Sequence, residues 1–560
     1  MSQLAIFHPP GRLVDVNNPF GKDVANAGLY RALVRWGNFE TIHILNQANV
    51  SLDDLRKDLY ALDLKTTDIR SAPTNEIEVA KSSGVLLRGQ PYLSELSWLR
   101  RSQSLDSEFS LVGLIHTVAP AHIRQRIGQS LFAPVHPWDA LICTSPAVQD
   151  NIRRLFDSYE DYVVERFGGR CPQRPQLPLI PLAVDLPDVS ADSSLQFATA
   201  LRSKLQIESD DIVVLWVGRL SFFEKAFPQS MFLAVEQAAS QTSKKLHFLM
   251  VGWFPRGDVD AKLYLEAAQK LAPSVKVSFL DGNQSNVVSA AWSVADIFLS
   301  LVDNIQETFG LTPLEAMASG LPVVASDWDG YRMTIRHGVD GFLVPTLFPA
   351  VVDTGAFLAN SHALDVITYQ DYVGSLAQHT SVDVRLASQA ILSLIDSPSL
   401  RKKMGDAGRR RVKSTFSWPV VVSQYVELFA ELEACRQHYL PEIAEASRKS
   451  STVHPSRGNP FLDFSDFASA CLGDDHFVQC NFELDQWIFK WEQLQDVKLN
   501  GVYPSLRLNK QELQLLSSYL HRKPSCSVSE LKELFPPSRG DCVLLTLTWL
   551  CKYGLLSVAS

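Results

Sequence analysis

Short apolar runs recur along most of the chain. Each is followed by a polar or glycine turn and then by apolar residues at helical spacing. Leu4–Phe7 (LAIF), Thr41–Leu45 (TIHIL), Phe109–Ile115 (FSLVGLI) and Ala140–Ser145 (ALICTS) form a first set. Ile212–Val217 (IVVLWV), Leu246–Val251 (LHFLMV), Val275–Leu280 (VKVSFL), Ala295–Ser300 (ADIFLS) and Pro322–Ser326 (PVVAS) form a second. Runs this continuous suit strands covered on both faces. Their alternation with helical stretches such as Val24–Trp36 predicts parallel sheets with right-handed crossovers. Phe416 to Leu432 is a long amphipathic stretch, whereas Gln437 to Asp475 is polar and broken by Pro441, Pro455, Gly458 and Pro460, the composition of a linker. The last stretch predicts three short helices and a strand. Asn509 caps the first, with Leu513, Leu516 and Leu520 on one face; Ser527 caps the second; the third, Cys542–Tyr553, stops at Gly554 before Leu555–Val558. That is the outline of a winged-helix-like module.

Composition narrows the classes. The 560 residues are 46% hydrophobic and 20% charged, which suits several globular domains. A net charge of −9 gives no footprint for nucleic acid, so no nucleic-acid partner is expected. The eight cysteines are scattered without a CxxC pair, which fits reduced thiols in a cytoplasm. The opening residues lack the basic and apolar regions of a signal peptide, and no apolar run reaches the ~18 residues of a membrane span. A cytoplasmic location is expected, with peripheral membrane contact left open.

The candidate chemistry concentrates in Ser300–Pro345. Glu307 and Glu315 flank the turn Thr308-Phe309-Gly310-Leu311, which leads into a helix predicted to have Thr312 at its N-cap and Pro313 at its first position. The amides of Phe309, Gly310 and Leu311 would then face outward at the positive end of the helix, an anion site. Thr312 with Glu315 also reads as a capping box, which needs no ligand. Elsewhere, His116 follows the end of an apolar strand, where doubly wound folds place ligands. Arg219 and Lys225 follow IVVLWV as two cations beyond a strand end. Asn17, Asn18, Phe20, Gly21, Lys22 and Asp23 lie at the entrance of the first helix.

The sequence E-T-F-G-L-T-P-L-E-A-M-A-S-G-L-P-V-V-A-S, followed by H-G-V-D-G-F-L-V-P, closely resembles the E-x7-E donor-site signature of retaining glycosyltransferases of family 4. G-L-I-H-T around His116 and G-R-L-S-F-F-E-K around Arg219 and Lys225 extend the resemblance. The second has one residue inserted before Glu224, and Ala226 where the family has glycine. Leu182 and Ala183 also depart from the glycine or asparagine usual there. The resemblance implies a GT-B fold: two Rossmann-like domains across a cleft, plus the small C-terminal helical module. Its domains would be 1–188 (acceptor side), 189–415 (nucleotide-sugar side), a crossover helix 416–436, a linker 437–478 and a module 479–560. Asp188 to Ser194 would be the interdomain hinge. Residues Leu347 to Ser381 look like an insertion, and no function is assigned to them.

The resemblance further implies transfer of a hexose from a nucleotide-sugar, taken as UDP-linked, to a hydroxyl acceptor (glycan, lipid or protein) with retention, without metal or cofactor. His116 and Glu307 would contact the donor sugar, and Glu315 the ribose. Arg219, Lys225 and the Phe309–Leu311 amides would hold the diphosphate. The loop His8–Asp23, with Gly21, would face the diphosphate and acceptor, and the turn after Leu280 would seat the base. Asp327-Trp328-Asp329 is not read as a metal motif; Asp329, Tyr331 and Arg332 are expected to shape the sugar pocket. The module 479–560 is expected to serve protein contact or homodimerisation. The alternative is a catalytically idle sugar-nucleotide sensor with a C-terminal DNA- or protein-binding module; the intact Glu307, Glu315, Arg219 and Lys225 argue against it.

Overall fold

A computed structural model of the chain describes residues 2–8, 21–46, 50–60, 67–169, 173–186, 192–446, 452–502, 506–523 and 525–559. Asn17, Asn18, Phe20 and residues 188–191 of the expected hinge lie outside the described residues. Residues 192–194 already belong to the helix Asp192–Leu205.

Two six-stranded parallel sheets are wound in the same way. The first comprises β1 (Gln3–His8), β2 (Thr41–Asn46), β3 (Asp68–Pro73), β4 (Val85–Arg88), β5 (Ser110–Leu114) and β6 (Ala140–Ile142), in the order β3-β2-β1-β4-β5-β6. The second comprises β7 (Ile212–Val217), β8 (Leu246–Gly252), β9 (Lys276–Asp281), β10 (Ile297–Ser300), β11 (Val323–Ser326) and β12 (Gly341–Val344), in the order β12-β11-β10-β7-β8-β9. In each sheet the chain starts in the middle, builds one side, then returns to build the other. Crevices therefore open between β1 and β4 and between β7 and β10, where doubly wound folds bind ligands. This is the two-domain Rossmann-like architecture of a GT-B fold.

The two halves share a long return element. Val184 accepts a bridge partner in Ser417, and the helix Trp418–Ala446 then lies on the first domain. Its Trp418, Val421, Tyr425, Phe429 and Leu432 are buried in one core with Leu29, Tyr30 and Leu33 of the helix Gly21–Trp36. The helix runs past Gln437 and through Pro441, correcting the linker read from composition there. Docking overrides local preference: Arg436 Nη1 donates to Gly84 O at 2.8 Å and Ser110 Oγ at 2.9 Å, and Tyr439 packs near Trp138.

Residues 346–382 form a hairpin of helices. The antiparallel pair β13 (Thr346–Leu347) and β14 (Ser381–Val382) closes the base of the helices Asp353–Ala363 and Tyr369–Gln378. A separate unit spans Val453–Ser560, so residues 453–478, expected as linker, group with the C-terminal module. Three strands join its helices: β15 (Phe477–Cys480) pairs with β16 (Ser525–Ser527) and β17 (Leu556–Ala559). The helix Lys510–Arg522 starts in a capping box of Asn509 and Glu512 and buries Leu513, Leu516 and Leu520. Among the described residues no helix is long and apolar enough to cross a membrane.

Candidate functional site

Arg219 follows β7, and Glu307 lies in the loop after β10, so the two flank the crevice between those strands. The strand ends pack backbone to backbone. A Cβ on Gly252 would fall 1.8 Å from Gly218 O, so a side chain there would push the β7 and β8 ends apart. The loop after β7 is tied to the loop after β10 at two points. Asn304 Nδ2 donates to Phe223 O at 2.8 Å, and the Phe227 amide donates to the Asp303 carboxylate at 3.3 Å. With the Lys225 amide on Ser221 O at 2.9 Å, these bonds bring Lys225 Nζ to 2.9 Å from Glu307 Oε2. Arg219 Nη1 sits 2.5 Å from Glu224 Oε2, beside the Trp253 ring.

The electrostatics follow from this arrangement. Burial pushes the Glu307 carboxyl up, but the Lys225 ammonium, its hydrogen bond and the amides of Phe309 and Thr308 outweigh that and hold it below the usual carboxylate range. Glu315, one turn along, is raised to about 7 because burial dominates and Lys225 opposes it only in part. Asp329 is also raised to about 7, by burial first and by its neighbour Glu307.

The helix start differs from the one read in sequence. The helix is Leu311–Ala318 and its N-cap is Gly310 at φ +87°, with no side-chain cap. Thr312 is therefore inside the first turn, Pro313 follows it, and Glu315 makes no capping box. The cause is tertiary: a Cβ at Gly310 would meet Tyr331 Cε1 at 2.0 Å, so only glycine fits against that ring in the left-handed conformation. Tyr331 is held by Ser300, its hydroxyl 2.9 Å from Ser300 Oγ. The Phe309 ring is buried near Phe416, while its amide lies beside the Glu307 carboxylate. The Gly310 and Leu311 amides remain at the positive end of the helix.

From the first domain, His116 comes to the opposite wall. Its Nε2 lies 2.9 Å from Asn26 Oδ1, and Asn26 Nδ2 donates to Gly89 O at 3.0 Å. Burial lowers its pKa to about 4, so the ring is neutral at ordinary pH. Among the described residues, Thr308 Oγ1 donates to His116 O at 2.7 Å and Ser145 Oγ donates to Asp329 Oδ1 at 2.5 Å, each from one domain to the other. Gly21 is the exposed first residue of the helix that supplies Asn26. Leu280 lies half-buried in β9, the edge strand, with β8 between it and β7, and the turn after it packs through Gly282 on Gly252. Asp327 pairs with Arg332 at 3.0 Å, and Trp328 Nε1 donates to Asn304 O at 3.1 Å. Among the described residues no cluster of His, Cys, Asp or Glu could hold a metal ion. Asn26, Ser145, Asp303 and Asn304 had no distinguishing signal in the sequence. Only Ser145-Pro146, a helix start just after a strand, offered a hint.

Residues 197–347 match the model of the glycosyl transferases group 1 family, and the match stops where the helical hairpin begins. The chain is 27% identical over 299 residues to a D-inositol 3-phosphate glycosyltransferase of Geodermatophilus obscurus, covering 52% of this chain and 54% of that protein. It is 32% identical over 145 residues to the enzyme of the same name from Rhodococcus erythropolis, covering 26% and 32%. The chain thus spans about half the length, or less, of these curated relatives. Among solved structures, Anabaena HepE in complex with UDP and glucose aligns over 77% of this chain and 100% of its own, at 15% identity and a TM-score of 0.49. The sucrose-phosphate synthase of Thermosynechococcus elongatus aligns over 78% and 100%, at 19% identity and 0.47.

Proposed function

We propose that this chain is a retaining glycosyltransferase that moves a hexose from a UDP-linked donor to a hydroxyl acceptor, without metal or cofactor. The observation that carries this reading is the Lys225–Glu307 pair, 2.9 Å apart between the ends of β7 and β10, within the residues that match the group 1 family. In this reading Glu307 accepts the donor sugar's hydroxyls, each charge-assisted bond contributing about 1.5–3 kcal/mol. Glu315 accepts the ribose hydroxyls. Neutral His116 meets the sugar from the opposite domain as a hydrogen-bonding group, with no charge to repel the cation that develops at the anomeric carbon.

When the bond from the anomeric carbon to the phosphate oxygen breaks, negative charge grows on the diphosphate. Lys225, Arg219 and the helix end at Gly310–Leu311 are assigned to meet it. The acceptor oxygen forms its bond on the same face, and its proton passes to the leaving phosphate oxygen. No carboxylate of the chain is assigned as a covalent nucleophile.

The test is to incubate the purified protein with a panel of sugar nucleotides, with and without EDTA, and to follow the nucleoside diphosphate released. UDP-hexose should be consumed at the same rate in both arms. A panel left intact would overturn the reading, and a rate abolished by EDTA would remove its metal-independent part.

A further inference from the structure

We infer that the helical hairpin Thr346–Val382 is a positioning element for the donor-binding loops, with Tyr369 and Gln370 as its positioning residues; this rests on the donor reading above. The two residues open the helix Tyr369–Gln378, whose start is fixed by a capping box of Thr368 and Asp371. From that fixed end they reach two different loops. Tyr369 Oη donates to Gln306 Oε1 at 3.0 Å, and the Gln306 amide in turn donates to Asn304 Oδ1 at 2.9 Å. Gln306 is the residue before Glu307, so this bond fixes the approach of the sugar-binding carboxylate. Gln370 Nε2 donates to Glu224 Oε1 at 3.2 Å, while Glu224 Oε2 holds Arg219. One carboxylate thus links the hairpin to a diphosphate-binding cation.

The same helix closes against the loop after β7. A Cβ on Gly374 would sit 3.3 Å from Phe223 Cβ, and Phe223 O is the group that receives Asn304. The hairpin's first helix, Asp353–Ala363, lies against the first-domain helix Ala121–Gly128 that begins just after His116. The hairpin therefore touches both loops of the second domain that carry donor ligands, and the first-domain helix beside the opposite wall. Packing alone does not account for the two polar bonds. Leu347, Val352, Phe357, Leu364 and Val366 are exposed, whereas Val373 and Ala377 of the helix that carries Tyr369 and Gln370 are buried.

The test pairs Tyr369→Phe with Gln370→Ala in the full chain. Each change deletes a hydrogen bond and leaves the hairpin's apolar contacts. Melting should be unchanged. Amide hydrogen exchange in residues 219–227 and 303–311 should accelerate, and the donor KM should rise about tenfold with kcat changed far less. Exchange in both loops equal to wild type would overturn the inference. If the wild-type protein consumes no sugar nucleotide, the donor reading falls alone. The exchange measurement still decides whether the hairpin holds the loops.

Discussion

The two sheets have the same winding and different strand ends. In the second domain the loops after β7 and β10 are joined through Asn304, Asp303, Lys225 and Glu307. The left-handed Gly310 is clamped there against Tyr331. In the first domain the ends of β5 and β6 offer His116 and Ser145, each reaching the second domain through a single hydrogen bond. Equal topology therefore carries unequal polar cross-linking at the strand ends. The second domain ties its polar groups to one another across two loops, while among the described residues His116 and Ser145 of the first meet it across a seam through Thr308 and Asp329. In the proposed reading the donor binds on the half whose polar groups are already tied together, because less ordering free energy is lost there on binding. Substitutions should accordingly cost more in the second domain than across the seam.

The largest expected effect tests that rank directly. Lys225→Ala should lower turnover by roughly 10²–10³, the usual loss for one donor at a developing oxyanion. It should also release Glu307 from the pull that keeps its carboxyl low, moving the acid limb of the pH–rate profile upward. Turnover within twofold of wild type would place the diphosphate elsewhere and erase the contrast between the halves.

Much of this contrast could not be read along the chain. β7, β8 and β10 were legible because a strand buried on both faces is apolar throughout, as IVVLWV is. The short β3 and β4, the latter carrying Arg88, were not. The cap of the helix at Leu311 lies two residues before the expected cap at Thr312, because the true cap is Gly310, whose conformation is set by Tyr331, 21 residues further on. Ser145 and Asp329 are 184 positions apart, and Tyr369 and Gln306 are 63 apart, so no local pattern announces either pair. Glu307, Glu315, Arg219, Lys225 and His116 drew attention through a motif or a strand end. The groups that place them are ordinary polar residues whose meaning exists only in three dimensions.

A middle-sized effect concerns Glu315. Its folded carboxyl sits near 7, above its ordinary 4.5, so the unfolded chain gives up that proton first as pH rises. Folded stability is therefore lost progressively between those two values and levels off above them. Glu315→Gln removes the titration. Its melting advantage over wild type should grow from pH 5 to pH 8, by about 2 °C or more if screening leaves on the order of 1 kcal/mol. The same variant should weaken UDP binding in calorimetry. A constant melting difference across that range would mean that Glu315 is already solvated.

The smallest effect lies in the seam, where Ser145 has two roles. It caps the helix Pro146–Phe167 by accepting the Val148 amide at 3.2 Å, and it donates to Asp329 across the cleft. Asp329 is at φ +36°, where glycine is less strained than any L-residue, so Asp329→Gly removes the bridge and leaves the cap intact. Ser145→Ala removes both. A hydrogen bond contributes about 0.5–1.5 kcal/mol net, so each variant should raise the donor KM by between roughly twofold and tenfold. Only Ser145→Ala should also melt earlier, since a lost N-cap costs about 0.5–2 kcal/mol. Equal KM shifts with unequal melting would assign the kinetic effect to the seam and the stability effect to the cap. If Asp329→Gly left KM unchanged, the seam would be mere packing, and the donor would be gripped by the second domain alone.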